Sequence, residues 1–146
     1  MKKQFKVIGI RNCSFLKWKF ADHPNFKYQQ FDCYRGNQLI GTLFFTVKNQ
    51  VVHLIDVLVN DHQADIIPLF ERFINEVYKN KFAQVLSFII QTNNPIIPLL
   101  KELGFKERND ATSSVIAYAN EEKNKQIATI VLNGANWFMT VGDRDA

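Results

Sequence analysis

Two cysteines, six glycines, four prolines and three histidines in 146 residues exclude several kinds of protein. Cys13 and Cys33 are too few and too far apart for paired Cys-x-x-Cys metal ligation, and neither has a histidine at the spacing of a nucleophilic pair. The histidines are scattered, so no metal site is expected. Nothing suggests an oxidising compartment, and reduced thiols are the default. There is no Gly-rich nucleotide loop, internal repeat, low-complexity tract or linker. The N-terminal lysines precede an apolar run, Val7-Ile8-Gly9-Ile10, far shorter than a signal-peptide core, and no stretch reaches membrane length. The chain is therefore expected in the cytoplasm, with no membrane partner. Positive charge is also thin. A net charge of +4 is mild, with Lys2, Lys3 and Lys6 at one end and Lys123 and Lys125 far away. A nucleic-acid partner, which needs one basic face, is not expected.

What is present is apolar and aromatic. Hydrophobic residues make up 47% of the chain, with 13 phenylalanines, and charged residues 22%, which suits a packed core and argues against disorder. At this length one domain spanning residues 1–146 is expected, able to bury roughly 68–70% of its unfolded surface. The clearest stretch runs from Leu54 to Phe105. Leu54 to Val59 has the length and β-branched content of a buried strand, ended by the polar loop Asn60 to Ala64. Ile66, Ile67, Phe70, Phe73, Ile74, Val77 and Tyr78 recur at helical steps, and Pro68, tolerated in a first turn, places the helix start near Ala64 or Asp65. Gln84 to Ile90 reads as a second buried strand. Asn93-Asn94-Pro95 opens a shorter helix that Gly104 closes. Two strands joined by a helix imply a parallel pair. The right-handed crossover puts loops 60–64 and 91–94 at the same sheet edge, where open α/β sheets bind ligands.

Ahead of this unit, residues 5–10 could form a short strand. Asn12 or Ser14 could cap a helix through Phe20, which Asp22-His23-Pro24 ends. Tyr28 to Tyr34, Leu39 to Val47 and Val51 to Val59 form a meander, with Arg35 to Gln38 and Lys48 to Gln50 as turns. Beyond Phe105, Ser113 to Tyr118 and Asn136 to Val141 read as strands, and Ile127 to Leu132 as strand or helix.

This order resembles the GNAT acyl-CoA N-acyltransferase superfamily, most closely over Asn93 through Leu103-Gly104-Phe105 and, in topology, from Phe26 to Phe105. The resemblance implies a mixed twisted α/β sheet with helices on both faces and an acyl-CoA, acetyl-CoA included, as cofactor. An amine or amino-sugar acceptor would go with it. Phe15 to Phe20 with Asp22-His23-Pro24 resembles the opening of the second lobe of two-lobed GNAT-like proteins, so a partner lobe or a homodimer is a further expectation. Two departures stand out. The family's turn carries a basic residue and glycines, as in Arg-x-x-Gly-x-Gly, where this chain has Asn60-Asp61-His62-Gln63-Ala64-Asp65. Leu100 stands where the family often has a tyrosine acid.

The site residues follow. Asp56, a carboxylate in an apolar strand, could be a general base with a pKa raised by desolvation. It could equally be a structural acceptor on the side of Val52, Leu54 and Leu58, with His53 opposite. Main-chain groups of Val57, Leu58 and Val59, with His62 in the turn and Asn93 at the next helix, would hold the cofactor; Asn93 or Asn94 could instead merely cap that helix. Trp18 and Trp137 are expected in the core. The resemblance implies acyl-CoA-dependent transfer of an acyl group to an amine, with a non-catalytic binding or assembly module that has lost the cofactor as the alternative. The missing glycines favour the alternative, with Asp61 and Asp65 expected to cap the helix-start amides and repel a phosphate, while polar groups at both strand ends favour transfer.

Overall fold

The computed structural model describes residues 5–81, 83–91, 94–108 and 124–143. Its centre is a four-stranded mixed sheet of β2 (Gln29–Arg35), β3 (Gln38–Lys48), β4 (Val51–Val59) and β5 (Val85–Phe88), lying side by side in that order. The first three run antiparallel and β5 lies parallel to β4. Both turns of the meander need left-handed backbone. Gly36 has φ +60, and Asn49 and Gln50 have φ 51 and 61, the twist that tight hairpins require.

Side-chain alternation on β4 is interrupted. Phe44 faces Asp56 and Phe45 faces Leu54, so Ile55 is an extra residue with no opposite number. Such a bulge reverses which face each later residue takes. Val52, Leu54, Val57 and Val59 are thus all buried against helix α2 (Ile66–Asn80), while Asp56 and Leu58 turn to the other face. The expectation that Asp56 shares a face with Val52 and Leu54 and opposes His53 is corrected by this one inserted residue.

Helix α2 begins one residue after Asp65, with Pro68 in its first turn, and ends at Lys81 in the left-handed conformation. Ile66, Leu69, Phe70, Phe73 and Val77 form its buried stripe. The Phe73 ring lies 5.2 Å from Phe31 on β2 and 4.9 Å from Phe45 on β3, joining the helix to two strands of the core. Tyr78, expected on this stripe, is 82% exposed. Arg72 reaches back to donate to the Tyr34 carbonyl on the edge strand β2. Helix α3 is confined to Ile97–Glu102, and Gly104 with φ +89 turns the chain so that Phe105 meets Phe70 edge-on.

The opposite face is covered by α1 (Cys13–Leu16), which Asn12 caps by accepting from the Phe15 amide, and by one π-helical turn, Lys17–Ala21. Phe20 stacks on Phe44 with centroids 4.0 Å apart. Trp18 is 62% exposed rather than in the core, and Trp137 is half-buried with its indole N–H on the Val131 carbonyl. Helices therefore cover both faces of a mixed α/β sheet. A second, small sheet pairs β1 (Val7–Ile8) in parallel with β6 (Trp137–Phe138), and α4 (Lys125–Leu132) precedes it, resolving Ile127 to Leu132 as helix. The strand expected to run to Val141 stops at Phe138, because Thr140 forms an isolated bridge with Ile90 and Val141–Asp143 coil into a 3-10 turn. Ser113 to Tyr118 lies outside the described residues.

The packing around α2 makes a direct prediction. Phe73→Ala should lower the unfolding free energy by about 3–5 kcal/mol in urea titrations followed by circular dichroism, whereas Glu71→Ala on the exposed face should change it by no more than about 0.5 kcal/mol.

Candidate functional site

The parallel pair β4–β5 keeps register from Val51↔Val85 to Leu54↔Phe88 and no further. Past that point β4 continues beside β3, and the chain's last described segment sits against it. Asp56 lies there with 0% exposure. Its carboxylate is gripped by the Arg11 guanidinium, Nε to Oδ2 at 3.0 Å and Nη2 to Oδ1 at 3.2 Å. Oδ1 also accepts from the Thr140 hydroxyl at 2.8 Å and from the Val57 amide at 2.9 Å. Arg11 donates to Asp143 as well, at 2.7 Å, and Asp143 accepts from the Thr140 amide at 2.8 Å. Gly142 lets its backbone pass directly over the carboxylate, since a Cβ there would fall 2.9 Å from that of Asp56.

One guanidinium thus serves two carboxylates. Burial pushes the Asp56 carboxyl above its ordinary 3.8, outweighing the lowering pull of Arg11 and of the hydrogen bonds from Arg11 and Thr140. Burial alone would lower the Arg11 pKa, but Asp56 and Asp143 raise it above its ordinary value, so the cation is fixed. The arrangement can hold a proton or an ion pair in a dry site. It presents no exposed carboxylate oxygen to a solute.

The turn after β4 forms the second half of the candidate site. Asp61 Oδ1 accepts from the amides of Gln63 at 2.8 Å and Ala64 at 3.1 Å. Asp65, 4% exposed, accepts from the Asp61 amide at 3.0 Å and pairs with Arg35 at 3.1 Å. The amides of Asp61, Gln63 and Ala64 in the turn before α2 are therefore bonded to the chain's own carboxylates, whereas Asp65, at the N-cap, makes no side-chain bond to the first amides of α2, which corrects the expectation that the two acids cap the helix start. Asn60 closes the turn by donating from its side chain to the Leu39 carbonyl at 2.7 Å.

Of the residues singled out in the sequence, Asp56 and Val57 are brought together, with the Val57 amide committed to the Asp56 side chain. Val59 is buried and Leu58 half-buried on the opposite face. His62 is half-buried with its ring 5.3 Å from Phe5, which in turn packs 4.8 Å from Phe138. Asn93 lies outside the described residues; its neighbour Asn94 is buried and accepts from the Ile96 amide at 3.1 Å in the turn before α3, whose N-cap, Ile96, makes no side-chain cap bond. Arg11, Thr140, Gly142 and Asp143 were not singled out as partners. The signal for them was the need of a buried carboxylate for a cation, but Arg11 is 45 residues from Asp56 and Thr140 is 84. Among the described residues no group of three or more His, Cys, Asp or Glu side chains could hold a metal ion, and no helix is long and apolar enough to cross a membrane.

No protein-family model matches the sequence, and no curated protein does. Among solved structures the chain is similar to one named "Putative acetyl transferase from Pyrococcus furiosus", with 18% identity and a TM-score of 0.45, over 62% of this chain and 66% of that one. The likeness is too distant to assign a function.

The buried cluster can be tested through stability. A carboxyl whose pKa is raised on folding keeps its proton longer in the folded state, so its contribution is fully present below about pH 3.8 and is lost as pH rises through the folded value. Arg11→Ala removes the lowering influence and leaves a buried charge unpaired, and should cost about 3–5 kcal/mol near neutral pH. Urea unfolding across a pH series should show that deficit shrinking toward acid, where Asp56 is neutral in both states.

Proposed function

We propose that the chain is a non-catalytic binding or assembly module on an acyltransferase-like layered α/β fold. The observation that carries this reading is the Asp61 carboxylate seated on the Gln63 and Ala64 amides. A pyrophosphate approaching the turn before α2 would meet two acids, and turn amides already bonded to them. Each acid near a helix N-terminus stabilises the helix by roughly 0.3–1 kcal/mol, and a bound anion would oppose that interaction. The residues of this turn do not fit an acyl-CoA pyrophosphate. The closed contacts around Asp56 support the same reading, because a base must reach the proton it takes.

One observation favours a second reading, acyl-CoA-dependent transfer of an acyl group to an amine. Burial raises the Asp56 pKa, which suits a base that accepts a proton from an ammonium near neutral pH. On that reading Thr140–Asp143 would first move off Asp56. The main chain of Val57, Leu58 and Val59, with His62 and Asn93, would line the cofactor.

Calorimetric titration with acetyl-CoA separates the two. The module reading expects no binding at micromolar ligand, and expects Asp61→Gly, which frees two amides, to tighten whatever weak binding exists. Micromolar or tighter binding by the unaltered chain would contradict it and favour acyl transfer.

A further inference from the structure

The outer side of β2 is open. It is the outermost strand of the main sheet, and among the described residues no strand pairs beyond it. Alternate residues of an antiparallel strand turn their main-chain N–H and C=O groups to alternate sides. The hairpin closes at Arg35↔Gln38, which directs Tyr34 outward, and there the Tyr34 carbonyl meets Arg72 from α2. Gln30 and Asp32 follow the same alternation. Their main-chain groups and the Tyr34 amide therefore form an outward row that no described bond outside the β2–β3 ladder reaches. The strand is seven residues long and has neither the proline nor the lysine that often blunts an edge.

Beside this edge runs an open groove of about 480 Å³. Phe31 and Cys33, the β2 side chains on the α2 side, form its floor, and one stripe of α2, Arg72, Asn75, Glu76 and Lys79, forms its far wall. Gln30 and Asp32 turn their side chains to the opposite face, where Gln30 donates to Asp32, and Thr42 donates to Asp32. A strand edge flanked by a helix and a groove suits the addition of an extended peptide as a further strand. Main-chain bonds hold such a peptide, and every second side chain enters the groove.

The charges of the groove select among such peptides. Arg72 Nη1 is held by the Tyr34 carbonyl and lies 3.6 Å from the Cys33 sulfur, which leaves the other N–H groups of the guanidinium for a carboxylate. Lys79, on the same stripe, makes no ion pair among the described residues, while the Glu76 carboxylate accepts from Asn80. Both cations are exposed, so they bias the choice by a few-fold rather than dictate it. A lone strand also fits this edge better than a second copy of the chain. Pairing β2 with its own copy would bring the Arg72 and Lys79 stripes of two α2 helices to one face of the same interface.

We propose that β2 is a docking edge for an extended acidic peptide, which pairs with the outer main chain of Gln30 to Tyr34 and sets an aspartate or glutamate side chain against Arg72. The proposal rests on the reading of the chain as a binding module and gives that module a partner class. It does not involve Asp56 or the turn after β4.

The test pans a phage-displayed random heptapeptide library on the full chain, then titrates the enriched peptides, made synthetically, while backbone amide shifts are followed by NMR. Enriched peptides should share an acidic residue at one position, and the largest shifts should fall at Gln30, Asp32 and Tyr34. N-methylation of alternate peptide amides should abolish binding, and exchange of the acid for its amide should weaken it about fivefold. Arg72→Gln should erase that preference, so that the acid and amide peptides bind alike. Gln30→Pro removes an outward N–H and no ladder bond, and should abolish binding with the unfolding midpoint unchanged. The N-methylated peptides put the same question to the unaltered chain, so the test stands even if that variant fails to fold. Failure to enrich acidic peptides, undiminished binding of the N-methylated ones, or shifts confined to another part of the chain would overturn the proposal. Shifts along β2 that follow chain concentration without peptide would assign the edge to a second copy and overturn it as well. Acetyl-CoA titration reports separately on the module reading, so the failure of either is distinguishable from the failure of the other.

Discussion

A carboxylate with no exposed surface in the middle of a sheet cannot stand alone. Its desolvation costs several kcal/mol unless a cation and further donors surround it. Asp56 meets that demand by recruiting residues from both ends of the chain: Arg11 from the segment after β1, and Thr140 and Asp143 from the segment after β6. Neither terminal segment has a long strand of its own; β1 and β6 are each two residues. The ion-pair cluster, together with the Phe5 and Phe138 contact beneath it, fixes them against the main sheet. The bulge at Ile55 is part of the same constraint. Without it Asp56 would fall on the α2 face with Leu54 and Phe45, away from Arg11.

The same chemistry bears on function. At the end of β4 and in the turn before α2 the chain satisfies its own polar groups. Arg11 and Thr140 saturate Asp56, and Asp61 and Asp65 saturate turn amides. Layered α/β architecture serves many chemistries, so these individual carboxylates, rather than the fold, bear on whether the chain binds or transfers.

The parts of this structure that were legible in the sequence are those with a repeating period. The spacing of Phe70, Phe73 and Val77 located α2 and its buried face, and Pro68 located its start, because hydrophobic burial acts through position along the helix. The meander was legible through its turns and β-branched runs. Asp56 was legible as an anomaly, but its face was not: a bulge shifts register by one residue and leaves no local mark in Val51 to Val59. Its partners were illegible for another reason. Arg11, Thr140 and Asp143 are separated from it by long stretches of chain, and only tertiary folding brings them together. Trp18 shows the limit of composition, since a large aromatic in a four-residue helix and its π-helical extension need not face inward. Tyr78 shows the limit of the helical period, falling just past the edge of the stripe that Val77 ends.

The central claim is that the Asp56 cluster is closed in the native state and keeps both terminal segments in place. Hydrogen exchange at the Val57 and Thr140 amides measures this directly, since each donates to a carboxylate of the cluster, Asp56 and Asp143 respectively. If the account is right, both exchange as slowly as the amides of the β3–β4 ladder, opening only with global unfolding. Fast exchange at these two amides while the ladder stays protected would show that the cluster opens on its own, and would contradict it.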